Sequence, residues 1–115
     1  MRGATTFAED TKADINAKTQ ALVTEMLERN SIGHDDLVSI IFTATDDLTA
    51  EFPATAARAL GLGDVPLLCA RELGIVHGMK RTIRVMMHFY GDQARSDLHH
   101  VYLEGARSLR DDLPE

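Results

Sequence analysis

The sequence predicts an α+β domain, a mixed β-sheet of four to five strands carrying two main helices. Three segments support this. Thr82 to Tyr90 alternates, with Ile83, Val85, Met87 and Phe89 on one face and Thr82, Arg84, Met86, His88 and Tyr90 on the other, which is the period of a strand. Leu37 to Ala44 is nearly continuous in apolar and β-branched residues, the pattern of a strand covered on both faces. Ile15, Leu22 and Met26, flanked by Ala21, Val23 and Leu27, form a helical apolar stripe that runs to about Arg29.

The remaining elements follow in order. Residues 2–7 suit a short first strand. Thr11-Lys12-Ala13-Asp14 resembles a capping box with Asp in place of Glu, which starts the long helix; Asn30, Ser31 and Gly33 end it. Thr45-Asp46-Asp47 is a polar loop. Pro53 opens a short helix to Leu60, stopped by Gly61. Val65 to Ala70 is a third strand, with Pro66 near its start, where a missing N–H is tolerated. Gly74 to Gly78 is a turn before the Arg84 strand. After Gly91, residues 92–97 form a loop or short helical turn; residues 100–103 then read as extended and 104–109 as helical. No repeat or linker interrupts residues 1–115, so one domain is expected. Two helices cover a sheet of this size poorly, and packing against another copy would bury the bare face.

Composition narrows the function. With 44% hydrophobic and 26% charged residues the chain is an ordinary globular one, and no apolar run approaches a membrane span or a signal peptide. A single cysteine, Cys69, excludes an internal disulfide framework and fits a reducing cytoplasm. The net charge of −6 argues against nucleic acid as partner. That charge is uneven: residues 1–57 hold four Lys/Arg and ten Asp/Glu, whereas residues 58–115 hold eight of each. A local anion site on an acidic protein fits this distribution.

Arg84 is the sharpest single signal. A guanidinium held mid-strand among Met, Thr and Tyr cannot shed its charge, so it needs an anionic or polar partner there, from a side chain or from a ligand. Adjacent histidines on a strand face opposite ways, so His99-His100 with His88 makes a poor metal site. The chain offers no convincing nucleophilic triad.

Arg2-Gly3-Ala4-Thr5-Thr6, Phe52-Pro53-Ala54, Cys69-Ala70-Arg71-Glu72, Ile83-Arg84-Val85-Met86, and His100-Val101-Tyr102-Leu103 followed by Leu109-Arg110, in that order and nearly that spacing, resemble the small monofunctional chorismate mutases of the trimeric, mixed α/β class. The likeness runs essentially end to end. It implies a pseudo-barrel trimer with sites between adjacent subunits, and an intramolecular rearrangement of chorismate to prephenate on the route to phenylalanine and tyrosine. Such a reaction needs no cofactor or metal.

The resemblance also implies roles. Arg84 would donate to the ether oxygen and a substrate carboxylate as the C–O bond breaks. Arg2 and Tyr102 would hold the side-chain carboxylate. Glu72 would accept from the ring hydroxyl, with Cys69 beside it. Phe52 and Ala54 would line an apolar wall that Leu109 helps close, and Arg58 and Arg110 would lie at the mouth, so that Phe52 and its neighbours face the Arg84 group of another chain.

Two positions depart from the family pattern. Arg2 is the second residue, where family members usually carry a few residues before the matching arginine, which predicts a frayed first strand or a truncated chain. Thr55 stands where some relatives have lysine, which predicts a missing cation at the mouth. The alternative reading is a non-catalytic trimeric small-anion-binding or regulatory protein on the same fold. The joint presence of Arg2, Glu72, Arg84 and Tyr102 discriminates the two, because a binding module has no use for a hydroxyl acceptor beside the cation.

Overall fold

Five strands form one mixed sheet in the order β3-β2-β4-β1-β5 in the computed structural model, which describes residues 1–110; the side chain of Arg110 and residues 111–115 lie outside it. The strands are β1 (Arg2–Thr6), β2 (Leu37–Ala44), β3 (Leu67–Arg71), β4 (Thr82–Phe89) and β5 (Val101–Tyr102). The helices are α1 (Lys12–Arg29) and α2 (Pro53–Ala59), with 3-10 turns at His34–Asp36, Arg95–Asp97 and Glu104–Arg110. β4 lies between β2 and β1 and runs antiparallel to both; the edge strands β3 and β5 run parallel to their neighbours. No helix among the described residues is long and apolar enough to cross a membrane.

Both helices cover the same face. Ile15, Leu22, Val23 and Met26 of α1, with Ala54 and Ala57 of α2, pack on Ile40, Phe42, Ile83, Val85 and Met87 of the central strands. α1 starts where its sequence says it should: the Thr11 hydroxyl accepts the Asp14 N–H at 3.1 Å, the forward half of a capping box. It approaches β1 closely because residue 3 is glycine. A Cβ there would sit 2.5 Å from the Met26 sulfur. α2 ends in Gly61, whose φ of 86° is the left-handed conformation that closes a helix.

Two expectations are corrected. β2 is covered on one face in the single chain, not on both: Ile40 and Phe42 are fully buried while Ile41 and Thr43, which face the other way, are only half-buried. The reason is that neither helix crosses to the other side of the sheet. There Leu68 is 59% and Met86 39% exposed, an apolar surface that this chain alone leaves in water. β1 is not frayed. Met1 and Met87 exchange backbone bonds in both directions, the Met1 amino group donating at 2.9 Å and the Met87 N–H at 2.8 Å. Partial burial, and secondarily the Arg2 charge, lower the pKa of that amino group.

Candidate active site

Strand register assembles the site. Ala70 on β3 faces Thr43 on β2, Thr43 faces Arg84 on β4, Arg84 faces Ala4 on β1, and Ala4 faces Tyr102 on β5. These five residues form one row across the helix-free face. Arg2 lies two residues from Ala4, and so on that same face, in the next row beside Met86. Glu72, two residues past Ala70, continues the side-chain alternation just beyond β3, and its N–H donates to the Ala44 carbonyl at 2.9 Å. Period-two geometry therefore brings together side chains as far apart in sequence as Arg2 and Tyr102.

Arg2, Thr43, Glu72, Arg84, Met86 and Tyr102 line a cavity of about 260 Å³. A larger space of about 440 Å³ adjoins it, sharing Glu72 and Arg84 and walled by the Leu73–Lys80 loop. The partner that Arg84 required is Glu72: Arg84 Nε lies 3.1 Å from Glu72 Oε2, and the Thr43 hydroxyl donates to the same oxygen at 2.7 Å. The Arg84 side chain is 46% and the Glu72 side chain 22% exposed. An ion pair this open to solvent stabilises the fold by roughly 0–1 kcal/mol, so Arg84 can exchange it for a ligand at little cost. Two guanidiniums and a phenol against one carboxylate leave the cavity positive within a chain of net charge −6, a composition suited to a dianion.

The supports of these side chains are visible as well. The Arg2 N–H donates to His100 Nδ1 at 3.0 Å, tying β1 to the segment before β5. The entrance to β4 is held by Asp47, whose carboxylate accepts the Arg81 N–H at 3.1 and 3.0 Å. Arg81 there adopts a φ of 43°, a conformation non-glycine residues take only when their surroundings impose it.

The other sequence-derived candidates lie elsewhere in the chain. Phe52 and Cys69 border a separate cavity of about 530 Å³, with Lys12, Leu48 and Arg71. Phe52 is 67% exposed, a large apolar side chain with nothing of its own chain over it. Cys69 pairs with Phe42 and so points to the helix-covered side; it is not beside Glu72, because three residues is an odd step along an alternating strand. Ala54 is buried in the core under α2. Arg58 is exposed and donates to the Thr55 hydroxyl at 3.2 Å. Leu109 is half-buried on the last 3-10 turn and lines neither cavity. The side chain of Arg110 lies outside the described residues.

Two carboxylates build the Phe52 wall. Asp10 accepts the Thr49 N–H and the Ala50 N–H at 3.0 Å and the Thr49 hydroxyl at 2.8 Å, and these bonds, led by the Thr49 N–H, lower its pKa. Glu51 accepts the Phe52 N–H at 2.9 Å, which is the main cause of its own lowered pKa. Among the described residues no group of three or more His, Cys, Asp or Glu is placed to hold a metal ion.

Sequence reasoning missed Thr43. The run Leu37–Ala44 holds two hydroxyls, Ser39 and Thr43, and nothing in the pattern singles out the second, since a threonine there reads as an ordinary strand residue.

Comparison with known proteins agrees with this geometry. The family model for chorismate mutase type I matches residues 1–113. The chain is 45% identical to the chorismate mutase AroH of Thermus thermophilus, over 98% of this chain and 93% of that protein. It is 42% identical to the chorismate mutase AroH of Bacillus subtilis, over 98% and 90%. A solved chorismate mutase from Clostridium thermocellum superposes with a TM-score of 0.92 at 46% identity, covering 94% of this chain and 96% of that one. With the family model spanning nearly every residue and the fold reproduced in a relative of known structure, the chain belongs to the type I chorismate mutase family.

Proposed function

We infer that this chorismate mutase converts chorismate to prephenate by positioning and electrostatics alone, with the Arg84 cavity as its reacting centre. The convergence of Arg2, Glu72, Arg84 and Tyr102 on one cavity is the observation that supports the reading most. The substrate is a dicarboxylate with a ring hydroxyl. In the rearrangement the ether C–O bond breaks as a C–C bond forms within the same molecule, so no nucleophile is called for. A protein accelerates such a step by holding the enolpyruvyl group over the ring. It also places fixed positive charge where the breaking bond collects negative charge.

In this reading Arg84 leaves Glu72 for the ether oxygen and an adjacent carboxylate. Arg2 and Tyr102 fix the side-chain carboxylate, and Glu72 accepts from the ring hydroxyl through the oxygen that Thr43 and Arg84 do not occupy. Preorganised donors of this kind lower a barrier by about 3 to 4 kcal/mol each, a substantial part of the roughly 8 kcal/mol at which enzymatic acceleration begins.

We further propose a homotrimer in the cytoplasm, with Phe52, Ala54, Arg58 and Cys69 of one chain completing the site of the next, and Leu109 and Arg110 closing it. The uncovered apolar face and the exposed Phe52 support this, since each cavity lacks a wall that another copy could supply. The test is to add chorismate to the purified protein and follow the loss of its ultraviolet absorbance. Loss well above the spontaneous rate is expected. A folded trimer that leaves chorismate at its uncatalysed rate would instead be an anion-binding protein on this fold.

A further inference from the structure

We propose that Thr43 is a positioning residue for the rearrangement, its hydroxyl holding the Glu72 carboxylate in place while Arg84 is engaged elsewhere. The proposal rests on the reading that Glu72 accepts from the substrate. Glu72 lies past the last residue of β3, so the sheet fixes its backbone, through the bond to Ala44, but not its side chain. A glutamate left to itself samples many rotamers, and freezing them only when substrate arrives costs free energy at that moment. Two groups restrain it here, both at Oε2: the Arg84 guanidinium, an ion pair with Nε at 3.1 Å, and the Thr43 hydroxyl, which donates at 2.7 Å.

The two contacts are not equivalent. The Arg84 contact is exposed and is the one surrendered when the guanidinium turns to a ligand. The Thr43 contact is short, in the range of a charge-assisted O–H···O⁻ bond, and comes from a half-buried, β-branched side chain fixed in the middle of the sheet. Thr43 is also the cross-strand neighbour of Arg84, so one rigid pair of strands sets both the cation and the anchor of its carboxylate partner. Valine would fill the same space in this apolar strand and supply no donor.

The experiment is therefore Thr43→Val beside Thr43→Ser, each checked by thermal melting. Removing a hydrogen bond to a charged group is expected to lower kcat/KM on the order of tenfold in Thr43→Val. Thr43→Ser, which keeps the hydroxyl, is expected to recover most of that loss. A double-mutant cycle supplies the readout that packing alone would not move: in a Glu72→Ala background, adding Thr43→Val should have no further effect. Wild-type kcat/KM in Thr43→Val would overturn the proposal. So would equal impairment of the valine and serine variants, or losses that simply add to those of Glu72→Ala. A Glu72→Ala enzyme as active as wild type would overturn both this proposal and the role assigned to Glu72. A crippled Glu72→Ala beside an unimpaired Thr43→Val would overturn this proposal alone.

Discussion

The Arg84 cavity and the Phe52 cavity are built from different materials. The first carries Arg2, Glu72 and Arg84 within a mostly apolar lining, and nearly all of its side chains project from strands held in register by backbone bonds. The second places an exposed aromatic ring on the segment before α2, and that segment is held by carboxylates: Asp10 on Thr49 and Ala50, Glu51 on Phe52. One region offers fixed charge and the other an apolar wall with adjustable backing. Chorismate needs both, since its carboxylates must be matched by cations and its ring must be kept from water. Within one chain Phe52, Leu68 and Met86 stay exposed, and this bare apolar surface is what supports the proposal that the two regions meet across a contact between copies.

The largest effect that would sharpen this contrast is at Arg84. Arg84→Lys keeps the charge but replaces a planar fork with a point charge on a flexible stem. Steady-state chorismate kinetics should show kcat reduced by at least ~10²-fold, the scale of losing one preorganised donor. A variant with near-normal kcat would take Arg84 out of the reacting centre.

The Phe52 region should respond more weakly, and to acid. The folded-state pKa values of Asp10 and Glu51 lie below their ordinary values. Their contribution is therefore fully present above the unfolded-state values near pH 4 and is lost as pH falls through the lower folded-state values. Hydrogen-exchange protection, taken relative to the intrinsic rate at each pH, should fall at the Thr49, Ala50 and Phe52 amides over that window before it falls at the β4 amides. Asp10→Ala should loosen Thr49 and Ala50 already at neutral pH. Exchange at those amides that ignores both acid and the substitution would mean that the carboxylates do not hold the wall.

The parts of the fold governed by local pattern were legible in the sequence. Leu37–Ala44 and Lys12–Arg29 are where the β-branched run and the capped apolar stripe put them, and the alternation around Arg84 separates buried Ile83, Val85 and Met87 from exposed Arg84 and His88. What covers the second face was not legible, because a period of two distinguishes faces without saying what lies against them. The resemblance, not the strand period, put Cys69 beside Glu72; within one chain their odd spacing sends them to opposite sides of the sheet. Thr43 escaped notice because its importance lies in its register with Arg84 and its reach to Glu72, both products of non-local pairing. Arg2 was expected on a loose end, but the bonds between Met1 and Met87 hold it.

Subunit complementation tests the shared site most directly. Arg84→Ala removes the cation, and Phe52→Asp sets a negative charge against the dianion; each variant alone should be nearly inactive. Mixed trimers from co-expression should regain activity, because some contacts pair an intact Arg84 region with an intact Phe52 region from a different chain. Random mixing gives roughly a quarter of the wild-type sites. Recovery to about that level would establish that the two regions act across subunits. Mixed trimers confirmed by mass, with no activity beyond that of either parent, would contradict it.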